Sequence, residues 1–248
     1  MSHRLADRLR RAIHHNNPAG PLAGVGVAER RLIARILDRK LTYLTERKLA
    51  ALVTTCRTIE ARHVGGLFVE AGCALGGSTI LLASVKRWDR PLQVYDVFGM
   101  IPPPTADDTE DVHARYRTIA GGQATGIGGD RYYGYTDDLY QVVQDNLASF
   151  GMDSEDHAIS LIKGLVQDTL VVDGPVAFAH VDVDWYEPVK TCLERIFPRL
   201  AVGGSIVLDD YHDWGGCRKA TDEFLPQVAG QFTLDDSAGS LRVDKVAG

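Results

Sequence analysis

The sequence predicts an α/β protein built on a doubly wound, mostly parallel sheet of seven strands. A C-terminal antiparallel hairpin and an N-terminal helical extension complete the expectation. Three observations carry it. Short apolar runs at 67–69, 91–96, 158–164, 176–183 and 203–210 alternate with segments of helical periodicity. The first run passes through Gly72, Gly76 and Gly77 directly into a helical pattern. The chain closes with two further short runs, 231–234 and 240–246, that read as a hairpin. Alternating strands and helices imply right-handed crossovers and a parallel sheet, into which the hairpin inserts one antiparallel strand.

Composition narrows the class. The chain has 248 residues, 45% hydrophobic and 24% charged, as expected of a globular domain with a sizeable core. A net charge of −6 argues against a nucleic-acid-coating surface. No apolar run approaches membrane-spanning length. Cys56, Cys73, Cys192 and Cys217 are scattered without metal-ligand or disulfide spacing, which fits reduced thiols and a cytoplasmic protein. The basic N-terminus lacks an apolar stretch after it and does not read as a secretory signal.

In chain order, residues 4–15 read as a short amphipathic helix, ended by Asn16, Asn17 and Pro18. Helical patterns follow at 27–37 and 46–62, the second with Leu49, Leu52, Val53 and Cys56 on one face. Gly65 and Gly66 stop it, and the first strand begins. The helix after the glycine turn covers 79–88, and the second strand ends in Asp96. Residues 99–135 carry three consecutive prolines, four acids between 107 and 111, and many glycines and tyrosines. A segment this long inside a compact domain reads as a substrate-covering insertion, with a helix near 109–120. Residues 137–150 form a helix capped by Asp137 or Thr136, 187–200 another, and 217–225 a third, stopped by Pro226. This divides the chain into a helical extension, 1–64, and a larger domain, 65–248, with the insertion as a lid.

Strand, glycine turn and helix N-terminus make a site where backbone N–H groups face a ligand. The dinucleotide fingerprint requires a glycine where Ala74 stands, which counts against a nicotinamide dehydrogenase. Glu70 sits where it could hold a ligand's ammonium group. The pattern resembles that of S-adenosylmethionine methyltransferases, although a plain strand-to-helix turn would use the same residues. Asp96, at the end of the second strand, stands where it can accept hydrogen bonds from ribose hydroxyls.

In a parallel sheet the strand ends face one edge, so Asp182, Asp209 and Asp210 converge on the edge that carries Glu70 and Asp96. Crowded carboxylates repel unless a proton or cation compensates them. An all-oxygen set suits Mg²⁺, which keeps positions for water or substrate oxygens.

The residues Phe68-Val-Glu-Ala-Gly with Gly76-Gly77, Asp96, Gly164-Leu-Val-Gln-Asp-Thr-Leu, His180-Val-Asp-Val-Asp-Trp-Tyr-Glu and Gly203-Gly-Ser-Ile-Val-Leu-Asp-Asp-Tyr together resemble the macrocin O-methyltransferase family. Its members are S-adenosylmethionine- and Mg²⁺-dependent enzymes of the class I fold that methylate sugar hydroxyls of antibiotics. The resemblance runs from about Leu41 to Leu225. It implies that Asp182, Asp209 and Asp210 hold the metal. It also implies that Glu70, Gly72, Ser78 and Asp96 surround the cofactor and that Gln167 lies near the adenine; Gly76, Gly77 and Asp182 complete that set. Catechol O-methyltransferase is similar in its acid triad but carries a lysine where this chain has Trp185, so a lysine-base mechanism does not carry over. Cys73-Ala-Leu also replaces the Trp-Arg pair common in the family.

The expected reaction is in-line methyl transfer to a hydroxyl of a small molecule, a glycoside acceptor, with Mg²⁺ activating that hydroxyl. Asp182, His180 and His212 are the candidate bases, with Asp182 preferred. Tyr43, Trp185, Tyr186 and the tyrosines at 132–135 are candidate walls. Catechol-type methylation, a catalytically silent subunit of the same fold and a homo-oligomeric assembly remain open at the level of sequence.

Overall fold

The computed structural model describes residues 20, 22–152 and 156–248. The helix expected over 4–15 lies outside the described residues. Seven strands form one sheet: β1 (Leu67–Ala71), β2 (Leu92–Asp96), β3 (Ile159–Lys163), β4 (Val176–Val181), β5 (Leu200–Leu208), β6 (Phe232–Asp235) and β7 (Leu241–Lys245). Their order is β3-β2-β1-β4-β5-β7-β6. The pairs from β3 to β5 are parallel, and β7 runs antiparallel between β5 and β6. This is the predicted doubly wound sheet, with one strand reversed by the hairpin.

Alternation along the strands divides the interior into two layers. On one face, Phe68, Leu92, Val94 and Phe178 pack under helices α1 (Val27–Asp38), α2 (Glu46–Ala61), α3 (Gly77–Val85) and α5 (Leu139–Ser149). On the other, Val69, Ala179, Val181 and Ile206 pack under α7 (Tyr186–Ile196) and α8 (Gly215–Phe224). Helices α1 and α2 place Ile33, Ile36, Leu49 and Leu52 in the same core as Phe68. Thr45 caps α2 by accepting from the Lys48 N–H at 3.2 Å.

Several boundaries move from their expected places. Helix α5 is capped by Asp138, whose side chain accepts from the Gln141 N–H, and not by Asp137 or Thr136. Helix α3 starts at Gly77, two residues early, because Gly76 adopts the left-handed backbone (φ 85°) that turns the chain into it. Helix α7 ends at Ile196, and Pro198 sits in a 3-10 turn that leads into β5. A single helical turn, α6 (Val166–Thr169), was not anticipated. No described helix is long and apolar enough to cross a membrane.

The insertion folds as helix α4 (Glu110–Ala120) and two 3-10 turns, 127–129 and 133–135. It has a small core of its own in Ile101, Val112, Ile119, Ala124 and Tyr132, seated on Trp185. The Trp185 indole N–H donates to the Pro102 carbonyl at 3.0 Å, which fixes one end of the insertion to the strand edge.

Candidate active site

The C-terminal ends of β1, β2, β4 and β5 converge beneath the insertion. Gly72, just past β1, is required there. It has φ 82°, and a Cβ on it would lie 1.9 Å from the Asp182 carbonyl oxygen. The absence of a side chain lets the chain leaving β4 pass close beside the end of β1. That close approach sets Asp182 against Gly72, and Asp182 and Asp96 line the same two cavities.

Two adjoining cavities occupy this edge. A slot of about 90 Å³ runs from Gly72, Asp96 and Val97 to Gly164, Val166 and Gln167. A larger cavity of about 300 Å³ lies between Asp182, Asp209, Asp210 and the aromatic rings of Tyr43, Tyr132 and Trp214. Gly72, Asp96, Asp182, Asp184 and Trp185 line both, so the two meet at the ends of β1, β2 and β4.

Asp96 sits at the junction. Its Oδ2 accepts from the Cys73 N–H at 2.8 Å and its Oδ1 from the Phe98 N–H at 2.7 Å. Burial raises its pKa, while these two amides oppose that rise. The Ala74 amide and the Cys73 thiol oppose the rise as well, and the carboxylate lines both cavities.

Asp182, Asp209 and Asp210 come together, each offering an oxygen within 4.8 Å of the others. Burial and the charge of Asp209 push the Asp182 carboxyl up to about 8. Asp210 is raised by burial and by the charges of Asp184 and Asp182. Such a cluster titrates as a unit and is short of positive charge. Its all-oxygen donors and spacing fit a hard divalent ion with positions to spare. Asp182, Asp209 and Asp210 would hold such an ion.

A fourth acid, Asp184, joins them. Its backbone N–H donates to Asp210 Oδ2 at 3.2 Å, and its φ of 56° is uncommon for a residue with a side chain. Burial and the charge of Asp209 raise its pKa to about 7, against the lowering effect of Arg115. In the sequence Asp184 is marked only by its place in the His180-Val-Asp-Val-Asp motif just past the end of β4. Lys48 was missed altogether. It reaches in from α2, and its ammonium lies 3.0 Å from Asp209 Oδ2. Burial pulls its pKa down, but the charge of Asp209 and hydrogen bonds to Asp213 and Asp209 outweigh burial and leave it raised. No local pattern in the sequence marks it.

Other expected site residues stand elsewhere. Glu70 is wholly buried on the α2–α3 face, where it accepts from the Thr79 hydroxyl and pairs with His180 Nδ1 at 3.1 Å. It has no exposed oxygen for a ligand's ammonium group, which corrects the expectation. His180 is equally buried, lines neither cavity, and its Nε2 has no hydrogen-bond partner among the described residues. Burial lowers its pKa, but the hydrogen bond and charge of Glu70 more than offset this and raise it. As a strand residue it points into the helix layer, whereas Asp182 lies beyond the end of β4 and is free of the strand's alternation. His212 pairs with Asp236 at 3.2 Å and also lines neither cavity. Of the three candidate bases, Asp182 alone lines the cavities.

The glycine turn is likewise engaged within the protein. The Gly77 N–H donates to the Leu41 carbonyl at 3.0 Å, and a Cβ on Gly77 would lie 2.6 Å from that oxygen. Gly76 donates to the Cys73 carbonyl at 2.7 Å, and Ser78 is buried in α3. These residues shape the turn and admit the segment at Leu41. Gly72, Asp96, Gln167 and Asp182 are the expected cofactor residues that line the slot.

The sequence profile of the family described as macrocin-O-methyltransferase (TylF) matches residues 26–230. The chain is 30% identical over 201 residues to 8-demethyl-8-(2,3-dimethoxy-alpha-L-rhamnosyl)-tetracenomycin-C 4'-O-methyltransferase of Streptomyces olivaceus, covering 79% of this chain and 70% of that protein. It is 29% identical over 169 residues to demethyldecarbamoylnovobiocin O-methyltransferase of Streptomyces niveus, covering 65% of this chain and 59% of that one. Among solved structures, the O-methyltransferase NovP superposes with a TM-score of 0.67 at 22% identity, over 83% of this chain and 82% of that one. The calicheamicin methyltransferase CalS11 superposes with a TM-score of 0.60 at 17% identity, over 94% and 95%. At these identities the structural likeness shows the fold.

Proposed function

The chain belongs to the macrocin O-methyltransferase family and is an O-methyltransferase; from that premise we propose that it moves the methyl group of S-adenosylmethionine to a sugar hydroxyl of a glycosylated natural product, with a divalent cation, Mg²⁺, at Asp182, Asp209 and Asp210. The observation that carries this reading is the meeting of three carboxylates, within 4.8 Å of one another, in an aromatic-walled cavity, with Asp182 at its junction with the slot. The relative from Streptomyces olivaceus is named for a rhamnosyl-bearing substrate, which supports a glycoside acceptor.

In this reading Asp96 accepts hydrogen bonds from the cofactor ribose, and Gly72 leaves room beside it. Gln167, at the far end of the slot, lies by the adenine. Asp182, Asp209 and Asp210 would hold the cation, which would supply Lewis-acid polarisation of the acceptor hydroxyl. Asp182 stands at the junction of the two cavities, where it takes the hydroxyl proton as the methyl is transferred. Tyr43, Tyr132 and Trp214 wall the acceptor, and the insertion excludes water. Within 1–64, helices α1 and α2 serve as a helical extension that completes the domain at 65–248.

Calorimetry tests the cofactor step: S-adenosylmethionine or its demethylated product should bind wild-type protein and bind Asp96→Ala more weakly. Turnover assays on a panel of rhamnosylated acceptors, with and without chelator, test the rest. Full activity in excess chelator would remove the cation from the mechanism.

A further inference from the structure

Asp209 is held from two sides. The Lys48 ammonium lies 3.0 Å from its Oδ2 and 3.2 Å from its backbone carbonyl oxygen, and the Ser240 hydroxyl donates to its Oδ1 at 2.8 Å. Lys48 also donates to Asp213 Oδ2 at 3.0 Å. Only 12% of the Lys48 side chain is exposed, so solvent screens its charge weakly. Asp209 still keeps an oxygen within 4.8 Å of Asp182 and Asp210.

Asp184 belongs to the same cluster, and the Arg115 charge faces it. Four ionised carboxylates against Lys48 and Arg115 leave a net charge of two negative, which a divalent ion neutralises and a trivalent ion exceeds. The Asp213 side chain, 54% exposed, is screened by solvent. We propose that Lys48 is a specificity-determining residue for the cation: a fixed positive charge on the outer side of Asp209 that matches the cluster to a divalent ion. The inference rests on the cation reading above. Repulsion between Lys48 and a bound ion grows in proportion to the ion's charge, so it weighs more on a trivalent than on a divalent competitor. Lys48 comes from α2, outside the strand-end motifs, so the helical extension takes part in choosing the ion.

Full-length wild type, Lys48→Met, Lys48→Gln and Lys48→Arg are compared, with circular-dichroism melts to verify folding. Mn²⁺ affinity is read from the electron paramagnetic resonance of the free ion. Tb³⁺ affinity is read from luminescence sensitised by Trp185 and Trp214. Removing the charge should tighten Mn²⁺ about tenfold and Tb³⁺ about thirtyfold, because the logarithm of the effect scales with ionic charge. Lys48→Arg should stay near wild type. Lys48→Gln keeps a donor toward Asp209 and reads the same charge effect where the Met variant is poorly folded. A lysine that merely props Asp209 would predict weaker binding of both ions by a similar factor. That result, no change, equal tightening of both ions, or a Lys48→Arg variant that behaves like Lys48→Met would each overturn the proposal. Absence of any Mn²⁺ binding to wild type that Asp210→Ala abolishes would instead defeat the cation reading itself, and the inference with it.

Discussion

Asp108 of the insertion accepts a hydrogen bond of 2.7 Å from the backbone N–H of Tyr186, the first residue of α7. Asp111 does the same for Gly215, the first residue of α8, at 2.9 Å. First-turn N–H groups have no partner inside their helix, and the helix dipole favours an anion there. The two helices follow the strand ends that carry Asp182 and Asp210. The acidic run of the insertion is thus fastened to the elements that position the acid cluster.

Removing these contacts should loosen the insertion. Asp108→Ala or Asp111→Ala should cost about 1 kcal/mol, the usual worth of a helix N-terminal acceptor. That corresponds to a fall of about 2–4 °C in melting temperature for a chain of this size. Limited proteolysis should cut within 99–135 faster in either variant, and fastest in the double variant. Unchanged cleavage would show that Trp185 and the small apolar cluster alone hold the insertion closed.

Asp96→Ala should weaken cofactor binding roughly tenfold to a hundredfold, since hydrogen bonds to a charged group contribute about 1.5–3 kcal/mol. Asp96→Asn keeps one acceptor and should fall between. Calorimetry with the demethylated product reads both; equal affinity in all three proteins would take Asp96 out of the cofactor site.

The acid cluster gives the cation-free protein a definite pH dependence. In the fold, Asp182 and Asp184 are raised to about 8 and about 7 from an ordinary 3.8. A carboxyl raised on folding contributes most below its unfolded value, and that contribution is lost as pH climbs through the folded value. Melting temperature in chelator should therefore decline from about pH 4, where the unfolded carboxyls ionise, and level off above about pH 8, where the folded ones have ionised too. Added Mg²⁺ should stabilise little at the acid end and progressively more at the alkaline end. A cation effect independent of pH would place its binding away from the cluster.

The three candidate bases separate cleanly. Asp182→Asn should abolish turnover at saturating Mg²⁺ with little change in cofactor affinity. His212→Ala should keep near-normal turnover, because His212 lines neither cavity. His180→Ala should act through stability, with a loss of about 3–5 kcal/mol, because it removes the charge partner of buried Glu70 and leaves it only the Thr79 hydroxyl. The denaturation midpoint and the turnover of the folded fraction distinguish these effects. A stable His180→Ala protein with no turnover would restore the histidine as a base.

The order of elements and the acid-bearing edge are legible in the sequence because both follow from local periodicity. Apolar runs of strand length alternate with helical patterns, and a parallel sheet sends every strand end to one side. Asp96, Asp182, Asp209 and Asp210 sit at or just past strand ends, so their edge is fixed before any packing is known. What the side chains touch there is set by tertiary structure. Glu70 and His180 are strand residues whose alternation turns them under α2 and α3, and there they pair with each other. Gly77 is consumed by an approach of Leu41 from 36 residues earlier in the chain, an encounter that helix packing decides. Lys48 and Asp209 are 161 residues apart. A lone lysine on a helix has no periodic signature that distinguishes it from a solvated one, and only the docking of α2 against β5 brings its ammonium to the carboxylate.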